Sequence, residues 1–206
     1  MEDIKEKIER NIDSETIWLI DNFRTFCAPH DDSYNLAING LTDNGKPFPE
    51  YAEILKNSQI INIGCGHDLD SAKLSDFLFK AFKISKYLGV DPYSENLWDL
   101  PNKEKIDGLG YLVKQSDNSA NIITFGLDTF IIQNKSYAEK LVGEIFRVVP
   151  EDGIYLSSGS TFLEIYADKL FPIKNELGYN LQTYMKKPTK SLKVTDALNT
   201  YCKEVK

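Results

Sequence analysis

The sequence predicts an α/β fold in which a mostly parallel sheet is flanked by helices. Two apolar runs, 60–63 and 87–90, have the length and composition of buried strands, and the stretch between them has helical periodicity. The first run ends in the turn formed by Gly64 and Gly66, and the second is followed by Asp91. A strand, a Gly-x-Gly turn, a helix and a strand ending in a carboxylate are typical of a nucleoside-binding βαβ unit.

The remaining elements are predicted from periodicity and turn residues. Residues 2–27 indicate two helices, and 28–49, rich in Asp, Asn, Gly and Pro, indicate a long loop. Predicted after that loop are helices over 49–55, 70–82, 138–149 and 161–170, and strands at 60–63, 87–90, 111–113, 121–126, 154–156, 181–185 and 192–194. We therefore expect one globular domain over 58–206, preceded by a helical cap segment over 1–57.

The composition indicates a small soluble protein. Of 206 residues, 42% are hydrophobic, which is enough for one sizeable core. The net charge of -7, with scattered lysines, argues against a nucleic-acid partner. No apolar run approaches a membrane span, and the first residues do not have the layout of a signal peptide. Three cysteines without disulfide or metal-ligand spacing favour a cytoplasmic location, and no metal site is predicted.

The predicted turn and carboxylate have definite physical roles. Glycines at a strand end let the backbone turn sharply and let a ligand approach main-chain N–H groups. The carboxylate of Asp91 can accept both hydrogens of a ribose diol. The distance from Gly66 to Asp91 is 25 residues, longer than the roughly 20 of a dinucleotide-binding unit. We expect the intervening helix or its loops to contain a small insertion.

The chain resembles class I S-adenosylmethionine-dependent methyltransferases. Asn62, Gly64 and Gly66 fall in step with that family's motif I, an acidic residue followed by x-Gly-x-Gly-x-Gly, and Asp91-Pro92 stands at its ribose-binding acid. Residues 121–126 resemble its fourth strand and 138–156 its following helix, turn and fifth strand, so that the likeness covers about 58–160. The resemblance implies a Rossmann-like fold, S-adenosyl-L-methionine as cofactor and methyl transfer to oxygen or nitrogen of a small molecule.

The chain departs from the motif at two positions. Asn62 replaces the acid, so it can accept a hydrogen bond from the cofactor's ammonium but adds no negative charge. Asp68 replaces the third glycine, either as the N-cap of the next helix or as a charge unfavourable to the cofactor's carboxylate. These departures leave open a non-catalytic binding or scaffold protein with this fold. An NAD-dependent oxidoreductase is disfavoured because Leu69 stands where a dinucleotide-binding motif has its third glycine.

The predicted cofactor site combines the glycine turn with the loops that follow neighbouring strands. Asp117, placed after the predicted third strand, resembles the family's residue that accepts a hydrogen bond from the adenine amino group, although a turn-forming Asp fits equally well. Cys65 is interpreted as a small buried residue, not a nucleophile. The full cofactor-binding set is Asn62, Gly64, Cys65, Gly66, Asp91, Pro92, Ser116, Asp117 and Gly126.

No catalytic residue is evident from the sequence. Asp128 lies where the family often places a group near the transferred methyl, but an N-cap or a solvated loop acid is the favoured interpretation. His30 and Tyr34 belong to the predicted loop and are candidates for handling the substrate. A surface histidine in a polar loop is the alternative for His30. The oligomeric state and the acceptor are not predicted.

Overall fold

The computed structural model describes residues 41–43, 45–65, 68–92, 102–124, 135–158, 171–173 and 181–185. The described helices are α1 (Pro49–Leu55), α2 (Asp68–Phe82), α3 (Gly108–Leu112) and α4 (Lys135–Val148). The described strands are β1 (Thr42–Asp43), β2 (Lys46–Pro47), β3 (Gln59–Ile63), β4 (Lys86–Val90), β5 (Lys103–Glu104), β6 (Asn121–Thr124), β7 (Ile154–Ser158), β8 (Phe171–Ile173) and β9 (Leu181–Met185).

Seven of these strands form one sheet in the order β5-β4-β3-β6-β7-β9-β8. The first five are mutually parallel, whereas β9 runs antiparallel to both of its neighbours, β7 and β8. Strands β1 and β2 form a separate antiparallel hairpin. The predicted Rossmann-like architecture with a mostly parallel sheet is confirmed.

Helices cover both faces of the sheet, and each face has its own buried cluster. On one face, apolar residues of α3 and α4 pack on strand residues such as Ile61, Ile122 and Tyr155. On the other face, α1 and α2 pack on strand residues such as Ile60 and Ile123. Coverage of both faces explains why the strands are almost continuously apolar, a property of parallel sheets.

The start of the described chain is part of this core. Leu41 and Leu55 are fully buried and Tyr51 is 7% exposed, and all three pack with residues of α2 and the sheet. The part of the predicted cap segment from residue 41 onward therefore contributes to the domain core. A separate cap segment stays a prediction for residues 1–40. These residues, which include the two predicted N-terminal helices, lie outside the described part of the chain.

Most predicted elements after residue 48 are confirmed where they are described. The helix predicted over 70–82 begins two residues earlier, at Asp68, so that Asp68 lies in its first turn and not before it. Residues 42–47 of the predicted loop form the small hairpin. The predicted helix over 161–170 and the strand over 192–194 fall outside the described residues, as do Gly66, Gly126, Asp128, His30 and Tyr34.

The predicted third strand is wrong. Residues 111–113 lie at the end of helix α3 and just after it, and the third parallel strand is β5, paired with β4 at Gly89 and Val90. Short apolar runs fit a strand and a buried helix equally well, which is why periodicity failed here. The helix is fixed by its N-cap, because the Asp107 carboxylate accepts a hydrogen bond from the Gly110 amide at 2.9 Å.

Candidate functional site

The predicted glycine turn and carboxylate meet at the carboxyl edge of the sheet. Ile63, which ends β3, is paired with Val90, which ends β4, so that Gly64 and Asp91 follow directly on adjacent strands. The chain continues from β4 to β5 on one side of β3 and then returns to place β6 on its other side. Ligands of open α/β sheets bind outside the carboxyl ends of the strands at such a switch point.

The backbone turns sharply at Gly64, which adopts a φ of 70° that favours glycine. Its amide donates to the Val90 carbonyl at 2.8 Å, and the Cys65 amide donates to the same oxygen at 3.3 Å. Both amides are thereby engaged within the protein, contrary to the expectation that the main-chain N–H groups of this turn face a ligand. These two hydrogen bonds instead join the end of β3 to the end of β4, next to Asp91.

Two further residues of the predicted cofactor-binding set, Cys65 and Asn62, are buried close to Gly64. Cys65 is 8% exposed, and a Cβ on Gly89 would stand 2.8 Å from its sulfur, so the thiol fills the space above β4. Asn62 is 2% exposed and its Nδ2 donates to the Tyr87 hydroxyl at 2.8 Å. Its Oδ1 has no hydrogen-bond partner within the described part of the chain. Asn62 therefore retains one unused acceptor at the end of β3.

Asp91 and Pro92 extend this edge from β4. Both are half-buried, and the Asp91 amide donates to the Glu104 carbonyl of β5 at 3.2 Å, which fixes the backbone at that point. The side chain of Asp91 thus leaves a rigid strand end next to the glycine turn. This placement is the one required of a carboxylate that accepts hydrogen bonds from a ribose.

The structure adds Asp107, which the sequence interpretation missed. Asp107 follows β5 at the same carboxyl edge and is 2% exposed. A Cβ on the next residue, Gly108, would overlap the side chain of Ile63, so Asp107 is held close to the end of β3. The available signal was the pattern Asp-Gly-x-Gly at 107–110, a helix N-cap preceded by the short strand β5.

The electrostatics of Asp107 are unusual for an aspartate. Its Oδ1 accepts from the Gly110 amide and from the Tyr137 hydroxyl, the latter at 3.4 Å, whereas Oδ2 has no partner among the described residues. Burial raises the pKa of Asp107 above its ordinary value of 3.8, and the hydrogen bond from Gly110 offsets part of that rise. An unused carboxylate oxygen in this position suits a ligand N–H donor.

Ser116 and Asp117 lie at the opposite edge of the sheet. They precede the amino end of β6, and Asp117 forms an ion pair of 2.6 Å with Arg147 near the end of α4. Arg147 also donates to the carbonyls of Gln115 and Leu112 at 2.7 and 2.8 Å. The predicted contact of Asp117 with adenine depended on the incorrect third strand. Asp117 therefore belongs to an ion-pair cluster around Arg147 at the amino edge, and the Ser116 carbonyl accepts from the Ser119 hydroxyl at 2.7 Å.

Other site predictions are not tested by the described residues. Gly66, Gly126, Asp128, His30 and Tyr34 lie outside them. In the described ranges, no group of three or more His, Cys, Asp or Glu side chains is placed to hold a metal ion. No helix of the described part is long and apolar enough to cross a membrane.

Comparisons with known proteins found methyltransferase structures. No family model and no curated protein matches the chain. A TehB-like S-adenosylmethionine-dependent methyltransferase from Corynebacterium glutamicum is 19% identical over 84% of this chain and 99% of its own, with a TM-score of 0.47. A phosphoethanolamine N-methyltransferase from Haemonchus contortus is 16% identical over 81% of this chain, with a TM-score of 0.43.

A proposed Type II methyltransferase from Anaeromyxobacter dehalogenans is 14% identical over 52% of this chain, with a TM-score of 0.38. The present chain spans 43% of the length of that protein and 39% of the Haemonchus enzyme. Because these TM-scores lie below 0.5, the fold is assigned from the strand order and register of the chain itself.

Proposed function

We propose that the protein is an S-adenosylmethionine-dependent methyltransferase. The observation that carries this proposal is the position of Gly64 and Asp91 on adjacent strands at the switch point of the sheet. In the same sheet, strand β9 is inserted antiparallel between β7 and β8. A six-stranded dinucleotide-binding sheet has the order 3-2-1-4-5-6 without such a strand. The reversed strand accords with the resemblance to class I methyltransferases and argues against an NAD-dependent oxidoreductase.

The residues at this edge match the parts of the cofactor. Asp91 would accept hydrogen bonds from the ribose hydroxyls, and the unused Oδ1 of Asn62 would accept one from the ammonium group. Asp107 takes the role predicted for Asp117, because it follows the true third strand, and its unused Oδ2 would accept from the adenine amino group. Gly64 has no side chain, so it leaves space at the end of β3 between Asn62, Asp91 and Asp107.

The bound cofactor would supply a methyl group on a sulfonium, which an acceptor oxygen or nitrogen of a small molecule displaces in line. Alignment of two reactants alone can supply about 7 to 11 kcal/mol of the barrier, more than the roughly 3 to 5 kcal/mol of a general base. The proposal therefore does not require a base. Asp128, His30 and Tyr34 remain candidates for contacts with the acceptor, and the negative net charge favours a small molecule over nucleic acid.

A non-catalytic binding protein is the second candidate. It is favoured by the neutral Asn62 at the position of an acid and by the engagement of the Gly64 and Cys65 amides with Val90. Both features lower the number of groups available to the cofactor's amino-acid portion. Such a protein would bind S-adenosylmethionine without transferring its methyl group to any acceptor.

The test is calorimetric titration with S-adenosylmethionine and with NAD. We expect binding of the first only, and Asp91→Ala should weaken it by about 10- to 150-fold, the value of one hydrogen bond to a charged acceptor. Asp76→Ala is the matched control, because Asp76 is an exposed aspartate that pairs with Lys80 on α2. Equal affinity in the Asp91 variant and the control would contradict the assignment of Asp91 to the ribose.

A further inference from the structure

A buried polar cluster lies beneath the glycine turn and joins three elements of the βαβ unit. It consists of Asn62 from β3, Tyr87 from β4 and Ser71 from α2, none more than 4% exposed. The Tyr87 hydroxyl lies 2.8 Å from Asn62 Nδ2 and 2.9 Å from Ser71 Oγ. Burial raises the pKa of Tyr87, so the hydroxyl keeps its proton at all physiological pH values.

The hydrogen-bonding capacity of these groups fixes their orientation. Asn62 Nδ2 can only donate, so the Tyr87 oxygen accepts there. The distance of 2.9 Å allows either hydroxyl to donate, but donation from Tyr87 to Ser71 Oγ is the direction that gives the single Tyr87 hydrogen an acceptor, because Asn62 Nδ2 offers none. The Asn62 amide is thereby held with its Oδ1 turned away from Tyr87, and this oxygen has no partner among the described residues.

We infer that Ser71 and Tyr87 are positioning residues that keep the Asn62 carbonyl available to the cationic amino group of a ligand's amino-acid portion. This inference rests on the proposed function. Without Ser71, the Tyr87 hydroxyl could donate to Asn62 Oδ1 once the amide turned over. The amide would then present its Nδ2, a donor that an ammonium group cannot use.

The experiment compares two ligands that differ in the amino-acid portion. S-adenosylhomocysteine carries the ammonium group, and 5′-methylthioadenosine carries the same nucleoside without it. For Ser71→Ala we expect calorimetry to show about 10-fold or greater weakening for S-adenosylhomocysteine and less than about 2-fold change for methylthioadenosine. Because alanine favours a helix more than serine does, the variant should retain the fold.

A double-mutant cycle separates positioning from a general structural role. In an Asn62→Ala background, Ser71→Ala should produce no further loss for S-adenosylhomocysteine, because there is no amide left to orient. Tyr87→Phe is the second variant and should show the same ligand preference as Ser71→Ala. Tyr155→Phe is its control, because it removes a buried hydroxyl bonded to Thr124 on the opposite face of the sheet.

The outcomes distinguish this inference from the function on which it rests. Loss confined to S-adenosylhomocysteine, and absent in the Asn62→Ala background, supports the positioning role. Equal weakening of both ligands, no weakening of either, or additive losses in the cycle would overturn it while leaving the proposed function intact. A wild-type protein that binds neither ligand would overturn the proposed function and this inference together.

Discussion

The carboxyl and amino edges of the parallel strands differ in how their buried polar groups are satisfied. At the carboxyl edge, three buried side-chain atoms have no partner among the described residues: Asn62 Oδ1, Asp107 Oδ2 and Ser157 Oγ. At the amino edge, Asn121 Oδ1 accepts from the Ile154 amide at 2.7 Å, and Arg147 binds two carbonyls and two carboxylates. Among the described residues, the buried polar side-chain atoms of the amino edge all have partners, whereas those three atoms of the carboxyl edge do not.

This difference has an energetic meaning. A buried polar group without a partner costs about 1 to 3 kcal/mol, so evolution retains such groups where they have a use. The amino edge uses its polar groups to stabilise the fold, whereas the carboxyl edge holds polar groups that a ligand can satisfy. Removal of a polar group at the amino edge should therefore lower stability. Removal of one at the carboxyl edge should weaken ligand binding or, where no ligand uses the group, raise stability.

The largest expected effect lies at the amino edge. Arg147→Ala removes the donor that ties α4 to the end of α3 and to the turn at 115–117. We expect a loss of about 2 to 3 kcal/mol in the free energy of unfolding, measured by denaturant titration, with unchanged affinity for S-adenosylmethionine. Lys80→Ala is the control, since its ion pair with Asp76 is exposed and worth below about 1 kcal/mol.

A matched pair of aspartates sharpens the comparison. Asp107→Ala should weaken S-adenosylmethionine binding by about 10- to 150-fold, because its unused Oδ2 is the proposed acceptor for the adenine amino group. Asp117→Ala removes the same chemical group at the opposite edge and should leave affinity unchanged in calorimetry. A larger loss of affinity from the Asp117 variant than from the Asp107 variant would reverse the assignment of the two edges.

Asp107 and Asp117 also show which parts of the site could be predicted from the sequence. The glycine turn and Asp91 were predictable because each directly follows a long apolar run, and the register between β3 and β4 confirms that they are adjacent. Asp107 was not, because its strand, β5, has two residues and no detectable period. The apolar residues 111–113 resembled a strand, and the acidic residue that follows a strand at that position is Asp117. Local pattern identifies long elements, while the position of a short edge strand depends on tertiary pairing.

Asp107 at the carboxyl edge should make the stability of the protein depend on pH. Burial raises the pKa of Asp107, so the folded protein retains this proton at pH values where the unfolded chain has lost it. Stability should therefore fall as pH rises from about 4 through the raised pKa, by about 1.4 kcal/mol for each unit between the two pKa values. Asp107→Asn preserves the N-cap and lacks this dependence.

The measurement is the difference in unfolding free energy between Asp107→Asn and wild type across that pH range. The variant should gain relative to wild type as pH rises, and the difference should level off above the raised pKa. A difference that shrank with rising pH would mean that the carboxylate is stabilised in the fold and its pKa lowered.

The smallest expected effect concerns Ser157 at the carboxyl end of β7. Its hydroxyl is fully buried without a partner in the described part of the chain, next to Thr124 in the register of β6 and β7. Ser157→Ala should raise the free energy of unfolding by about 1 kcal/mol, because it removes a desolvated polar atom and only a small volume. In a domain of this size the midpoint of thermal unfolding should rise by about 2 to 4 °C.

The direction of this change tests the comparison most directly. Asn121→Ala, at the amino edge, should lower stability by about 1 to 3 kcal/mol, because the Ile154 amide would lose its acceptor in a buried site. Opposite signs for these two substitutions follow only if the carboxyl edge holds its polar groups unsatisfied. If Ser157→Ala destabilised the protein as much as Asn121→Ala, the serine hydroxyl would have a partner within the folded chain, and the contrast between the edges would reduce to Asn62 and Asp107.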